Sequence, residues 1–345
     1  MMSAVRSFQV PANLNAHTPA EFRGVQRDHV RLMALDTVSG DCFHNHFHHL
    51  AAYLRKGDLL VLNNSRTLPA MLKGKSGKQT IEIRLSRKIS DNEWEALIVG
   101  GVVTVGEKIT LLGELTATIT GIGMEAPLVI LSFSKSGLAL YENIYRYGEP
   151  LHYEYIETPW PLEMYQTVYA SVPGSVEMPS AGRAFTWKLL KQLKQKGVNI
   201  AFIQLHAGLS YYGNNRWPNP SKHVEDYCVP EETAALVNQT KENGGRVIAV
   251  GTTVVRALET AVNHTGKVEA QEGRTRLYIQ KGYPLKAVDG LITGFHEPEA
   301  SHLDLLTAFI DKHLLLKAYR AALADGYLWH EFGDMNLILP MEEKR

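Results

Sequence analysis

The amino-acid sequence predicts a mixed α/β protein, in which a barrel-like α/β domain carries an inserted small all-β barrel domain. Short apolar runs that suit buried strands alternate with helical patterns in the second half of the chain. Residues 71–133 instead show short alternating stretches separated by glycines. The chain has 345 residues, 45% of them hydrophobic, which exceeds the usual size of one simple domain. We therefore expect the α/β domain over 1–70 and 151–345, with the β-barrel over 71–150.

Hydrophobic patterning places the individual elements. The run GDLLVLN is continuously apolar and ends in two asparagines, as expected of a strand buried on both faces that leads into a polar loop. Glycine or proline marks several helix ends. Predicted strands cover 57–63, 80–85, 93–99, 199–206, 246–250 and the DMNLIL segment, and predicted helices cover 138–147, 184–196, 230–242 and 300–327.

Composition limits the compartment and the partners. Lys plus Arg and Asp plus Glu each number 36, so any nucleic-acid contact must come from a local basic patch. The cysteines, Cys42 and Cys228, form no CxxC pair, which fits a reducing compartment and excludes a thiolate zinc site. The sequence shows neither a signal-peptide pattern nor an apolar run long enough to span a membrane. We expect a cytoplasmic protein with no membrane partner.

The first candidate site is GDLLVLNNSRTLPA, where Asn63, Ser65 and Arg66 follow a buried strand. Open α/β sheets bind ligands at the carboxyl ends of their strands, and Arg66 suits a carboxylate or a phosphate. A turn in which the asparagines satisfy local backbone groups explains the same residues equally well.

The second candidate site is GTTVVRALE, a strand end followed by glycine, Thr252, Thr253 and a helix. Free N–H groups and hydroxyls at a helix start favour an anion. Ordinary N-capping is the alternative for the threonines. Arg256 and Glu259 lie three residues apart, and an ion pair between them is the simplest expectation.

Three histidines form the third candidate site. His206, His223 and His296 each lie where a predicted strand meets a loop, and Glu225 follows His223 by two residues. A histidine with a neighbouring carboxylate titrates near neutral pH and serves as a general acid or base.

A denser histidine run looks like a metal cluster at first sight, but no carboxylate or thiolate lies close to it in sequence. In an extended segment His44, His46 and His48 share one face, whereas metal sites draw ligands from separate elements. We therefore expect no metal. P-loop, GxGxxG, HExxH and GxSxG motifs are absent from the sequence.

Several motifs in order resemble the S-adenosylmethionine:tRNA ribosyltransferase-isomerase family of queuosine biosynthesis over nearly the whole chain. The matching segments are RDxxRL from Arg27, GDLLVLNNSRTLPA, YQTVYA, PSAGRAFT, LHAGL, GGRVIAVGTTVVRALE, GLITGFHEP and FGDMNLIL. The resemblance implies the fold described above. It also implies S-adenosylmethionine as co-substrate and tRNA as partner: the ribosyl group moves to the aminomethyl arm of a 7-deazaguanine in tRNA and epoxyqueuosine forms.

The resemblance also implies roles for individual residues. The proton-transfer candidates are His206, His223, Glu225 and His296. Arg66 and Arg256 are carboxylate or phosphate partners, and pocket-lining residues are Asn63, Ser65, Thr252, Thr253 and Asp334. Hydrogen-bonded scaffolding is the alternative for each.

The chain departs from the family pattern at positions expected to meet substrate. AGLHFT becomes AGRAFT, with Arg183 and Ala184 in place of leucine and histidine. LTNFHLPKST becomes ITGFHEPEAS, with Gly294 for asparagine and Glu299 for lysine. These changes suggest a divergent member, so a paralogue with a non-tRNA acceptor and a non-catalytic binding protein are alternatives. We favour a monomer, although the sequence does not determine the oligomeric state.

Overall fold

The computed structural model describes residues 8–298 and 300–341, in which strands form a nine-stranded mixed sheet, a closed barrel and a two-stranded sheet. The strands are β1 (Arg31–Asp36), β2 (Cys42–His46), β3 (Leu59–Asn63), β4 (Ser65–Thr67), β5 (Met71–Ser76), β6 (Gln79–Lys88), β7 (Glu93–Val99), β8 (Lys108–Leu111), β9 (Thr116–Ile122), β10 (Val129–Phe133), β11 (Val172–Ser175), β12 (Asn199–Leu205), β13 (Glu225–Val229), β14 (Val247–Val250), β15 (Gln271–Thr275), β16 (Gly290–Gly294) and β17 (Met335–Leu339). The helices are α1 (Gly137–Tyr147), α2 (Trp187–Lys196), α3 (Glu231–Glu242), α4 (Thr252–Thr260), α5 (His302–Leu306) and α6 (Lys312–Ala324).

The large sheet has the strand order β15-β13-β12-β3-β14-β16-β17-β1-β2. Strand β3 lies between β12 and β14 and is parallel to both. Its residues alternate between two cores, because Leu59 and Val61 pack on one face while Leu60 and Leu62 pack on the other. This explains why the run is apolar at every position.

The sheet topology brings the ends of several strands to one edge. Strands β3, β12, β14 and β16 run parallel, so their carboxyl ends meet there. Strand β13 is antiparallel to β12 and β17 is antiparallel to β16, so both begin at that same edge. We call it the site edge, since it gathers residues that follow or precede six different strands.

The small barrel closes in the order β10-β7-β6-β5-β8-β9. Its interior holds a separate apolar cluster that includes Ile83, Trp94 and Leu131, and α1 packs on it through Leu140 and Ile144. The barrel strands lie in sequence between β4 and β11, which pair with each other in parallel. The predicted fold class, mixed α/β with a small all-β barrel, is confirmed. The nine-stranded sheet has two edge strands, β15 and β2, whereas the closed barrel has no edge strand.

Two details differ from the sequence prediction. Helix α2 begins at Trp187, because the Thr186 hydroxyl accepts a hydrogen bond from the Leu189 N–H at 3.1 Å and caps the helix there. The helix predicted over 300–327 is two helices, with Asp311 capping α6. Among the described residues, no helix is long and apolar enough to cross a membrane.

Candidate active site

Asn63 joins the ends of β3 and β12 at the site edge. Its side-chain amide donates to the Leu205 carbonyl at 2.8 Å, and its side-chain oxygen accepts from the Leu205 and Ser65 N–H groups at 3.1 Å each. Asn63 is therefore a partner for local backbone groups, which is the scaffolding role that the sequence left open.

His206 directly follows β12 and is held by a chain of hydroxyls. Its Nδ1 lies 2.8 Å from Ser65 Oγ, which lies 2.7 Å from Ser175 Oγ. The ring packs against Gly174, where an added Cβ would come within 2.4 Å of Nδ1, so the position requires glycine. Burial lowers the pKa of His206. The imidazole is consequently neutral near pH 7.

Glu225, the first residue of β13, is the centre of a charged group. His223 Nε2 lies 3.3 Å from Oε1, the Gly208 N–H donates to the same oxygen at 3.3 Å, and Arg256 donates to Oε2. Burial favours the neutral acid, but Arg256 and His223 hold the pKa of Glu225 well below its ordinary value. Burial lowers the pKa of His223, yet Glu225 outweighs it and the net shift is upward.

The expected ion pair between Arg256 and Glu259 is wrong. Arg256 points to Glu225 and also donates through Nε to the Leu277 carbonyl at 2.9 Å. Glu259 instead accepts backbone N–H bonds from residues 286–288. Spacing along one helix face could not reveal partners that come from other strands and loops.

His296 stacks on a histidine that the sequence analysis missed. The rings of His296 and His302 lie 4.6 Å apart at an interplanar angle of 6°, and His296 Nε2 is 2.7 Å from Thr293 Oγ1. Burial lowers the pKa of His302 to about 4, where the charges of Glu225, Arg256 and His223 also act. His302 begins a helix, so the strand-end pattern that marks the other histidines does not include it.

Two partly buried glutamates extend the site, and the sequence analysis missed both. Glu177 Oε1 accepts from the Ser210 N–H at 2.7 Å and from the hydroxyl of Tyr153. Burial raises the pKa of Glu177 to about 7. Glu331 accepts from the Tyr155 hydroxyl.

The same region holds a further stacked histidine. The ring of His330 lies 4.2 Å from that of Tyr155, at an interplanar angle of 14°. These side chains come from irregular connections, where no periodic pattern marks a site.

The segment 206–210 connects the groups. His206 begins it, Gly208 lies beside His223 and donates to Glu225, and Ser210 binds Glu177. A row of titratable side chains therefore extends from His206, which Ser65 holds, through Glu225 to Glu177. Such a row can exchange protons with a bound substrate at several points.

The other candidates lie elsewhere on the site edge or face solvent. Arg66 is exposed on β4. Thr252 and Thr253 begin α4, but Gly251 is the N-cap and no side chain caps the helix, so ordinary N-capping does not explain the threonines. Asp334 accepts from the N–H groups of Arg31 and Leu328 at 2.8 Å each. It therefore joins β1 to the start of β17.

The histidine run forms a surface column of tilted rings. Strand β2 ends at His46 and a short 3₁₀ helix, Phe47–Ala52, follows, so His44, His46 and His48 do not share one extended face. The His48 ring lies 3.9 Å from the His49 ring at an interplanar angle of 48°, and 4.2 Å from the His29 ring at 33°. Within residues 8–298 and 300–341, no group of three or more His, Cys, Asp or Glu residues could hold a metal ion.

Comparison with known proteins agrees with this architecture. A family model described as queuosine biosynthesis protein matches residues 5–338. The chain belongs to this queuosine biosynthesis family. It is also similar to the crystal structure of S-adenosylmethionine tRNA ribosyltransferase from Thermotoga maritima, with 32% identity and a TM-score of 0.56 over 97% of this chain and 100% of that one.

The positions that depart from the queuosine family pattern have distinct environments. Arg183 is buried, donates to the Met164 carbonyl at 2.9 Å and pairs with Glu21 at 2.8 Å, so it is a structural cation. Ala184 is buried in an apolar cluster with Phe185. Glu299 lies outside the described residues.

Gly294 is the departure that a substitution can test cleanly. A Cβ at Gly294 would meet no atom within 4 Å, whereas a Cβ at Gly290 on the same strand would lie 2.4 Å from Leu339 Cδ1. We expect Gly294→Asn to leave the melting temperature within about 2 °C of the unmodified protein, because surface-type changes cost little. Gly290→Asn should lower it by many degrees. Thermal unfolding of both variants measures this, and a large loss for Gly294→Asn would contradict the open environment.

Proposed function

We propose that this chain is an S-adenosylmethionine-dependent tRNA ribosyltransferase-isomerase. It would transfer and isomerise the ribosyl group of S-adenosylmethionine onto 7-aminomethyl-7-deazaguanine in tRNA, giving epoxyqueuosine with release of adenine and methionine. The observation that carries this is the titratable row at the site edge, in a chain that matches the queuosine family over 5–338. The row is intact despite the departures at Arg183, Ala184 and Gly294.

The reaction needs a base that is neutral at the working pH. The sulfonium of S-adenosylmethionine acidifies the adjacent C5′ hydrogens, so a nearby base can remove one. His206 and His296 suit this role because burial lowers the pKa of each. We propose them as proton acceptors.

The reaction also needs an acid for the departing adenine. His223 suits this role, because Glu225 raises its pKa despite burial and keeps the imidazolium populated. Arg256 fixes Glu225 in turn. Glu177, with a pKa of about 7, adds a group that exchanges protons near neutral pH.

The remaining residues would bind and support substrate. Arg66 is exposed and suits a methionine carboxylate or a phosphate. Thr252 and Thr253 present hydroxyls at the uncapped start of α4. Asn63, Ser65 and Asp334 would hold the backbone and His206 in place.

We also propose the division into an α/β domain over 1–70 and 151–345 and a barrel domain over 71–150. The pairing of β4 with β11 on either side of the barrel supports it. A cytoplasmic monomer remains our expectation for location and assembly.

Adenine release tests the proposed function. Incubation with S-adenosylmethionine and tRNA carrying the aminomethyl-deazaguanine should release adenine and methionine in equal amounts, measured by chromatography. tRNA lacking that base is the control and should give none. Adenine release without tRNA would indicate another acceptor, and no release beside an active family enzyme would refute catalysis.

A further inference from the structure

Helix α2 exposes a face without a negative charge. Its buried residues are Leu189, Leu190 and Leu193, and its sequence, WKLLKQLKQK, contains no acidic residue. The exposed residues are Trp187, Lys188, Lys191, Gln192, Lys194, Gln195 and Lys196. We call this surface the α2 face. In a chain of zero formal charge, this helix therefore carries a net positive charge.

The lysines lie in a regular row. Lys188, Lys191 and Lys194 follow one another at intervals of three residues, so each is about 4.5 Å further along the helix axis. No ion pair neutralises these three within residues 8–298 and 300–341. Their charges are available to an external partner.

The α2 face begins at the site edge. Ala181, shortly before α2, lies 3.5 Å from the position of a Cβ at Gly251, which follows β14 at that edge. At the other end, the Gly197 carbonyl accepts from the Gly57 N–H at 2.9 Å, just before β3 begins. Trp187 is therefore at the end of α2 nearer the titratable row.

The histidine column borders the α2 face along its length, because the Thr186 hydroxyl at the start of α2 donates to Asp28, next to His29, at 2.8 Å. The Lys196 ammonium donates to the Ala51 carbonyl in the 3₁₀ helix that carries His48 and His49. The helix and this turn share an apolar cluster beneath them, in which Phe47 and Phe185 meet edge to face at 4.9 Å. The α2 face and the histidine column therefore form one continuous surface above a shared apolar core.

We propose that the α2 face binds the phosphate backbone of the RNA substrate outside the active site, and this inference rests on the proposed function. A row of lysines attracts phosphates without reading sequence. Trp187, with 62% of its surface exposed at the end nearer the site, offers a ring on which an unpaired base stacks. A membrane partner is disfavoured, because Trp187 is the one large apolar side chain exposed on α2.

Replacing Lys188, Lys191 and Lys194 together by alanine tests the lysine row. We expect tRNA affinity to fall about 10- to 100-fold at low salt, and the slope of log K against log salt to fall by about 2 to 3. Trp187→Ala should weaken binding several-fold without changing that slope. Direct binding of labelled tRNA at several salt concentrations measures both.

The matched control removes the same charge from the barrel, through Lys75, Lys78 and Lys108, which are exposed. It should leave tRNA affinity within about twofold. Because both triple variants change the net charge equally, the comparison separates the position of the lost charges from their number. Equal losses in both triple variants, or unchanged binding in the α2 variant, would overturn the proposal. The proposal would also be overturned if the α2 variant lost binding to vesicles of anionic lipid but kept its tRNA binding.

Kinetics separate this inference from the proposed function. In the α2 variant, adenine release should show a raised KM for tRNA and an unchanged kcat, with the melting temperature retained. If the unmodified protein releases no adenine, the proposed activity fails, while the direct binding measurements still decide the role of the α2 face.

Discussion

Replacing Arg256 by methionine should greatly lower the free energy of unfolding and abolish adenine release. Arg256 neutralises Glu225, which is 4% exposed; among the described residues, the Glu225 carboxylate otherwise meets His223 and the Gly208 N–H. Breaking a buried ion pair by removing one partner costs about 3–5 kcal/mol, because the remaining charge stays uncompensated. Urea unfolding at pH 7 gives this free energy, and chromatography of the folded fraction gives the activity.

Arg274→Met is the matched control. Arg274 pairs with Asp226, the residue after Glu225, at 3.0 Å, but its side chain is 55% exposed. Exposed pairs contribute about 0–1 kcal/mol, so this variant should lose little stability.

A double variant separates the structural role of the pair from its chemical role. Arg256→Met with Glu225→Gln removes both charges, so it should regain part of the stability without regaining activity. Equal stability losses for Arg256→Met and Arg274→Met would show that the buried pair does not form.

The sequence predicted the scaffold well because local patterns determine it. The run 57–63 is apolar at each strand position since both faces of β3 are covered, and Gly197 ends α2 in the left-handed conformation that glycine favours. The α/β elements and the glycine-punctuated barrel strands follow from the same kind of signal.

The candidate site was only partly predictable, because its contacts join distant segments. Strand ends identified His206, His223 and His296, but the partner of Arg256 is 31 residues away, and Glu177 reaches Ser210 across 33. His302 belongs to the site through ring stacking on His296. None of these pairings follows from periodicity within one element.

Acid should destabilise the protein through partly buried histidines whose pKa values are lowered on folding. The pKa of His302 falls from 6.5 to about 4 on folding, because burial disfavours the imidazolium. The unfolded chain therefore binds the proton first, so the contribution of His302 is complete above about pH 6.5 and is lost as the pH falls toward 4. The loss approaches about 3 kcal/mol at the lower limit, at 1.36 kcal/mol per pKa unit. His296 and His330, whose pKa values are also lowered, act in the same direction.

His302→Phe should reduce this acid sensitivity, because phenylalanine keeps a ring against His296 and takes up no proton. The free energy of unfolding, measured in urea at pH 7, 6 and 5, should fall less steeply than in the unmodified protein. His264→Phe, at an exposed position, is the control and should keep the original slope. His223 contributes with the opposite sign, since its raised pKa means that its stabilisation is lost as the pH rises. An unchanged slope in His302→Phe would mean that the pKa of His302 is not lowered by its packing against His296.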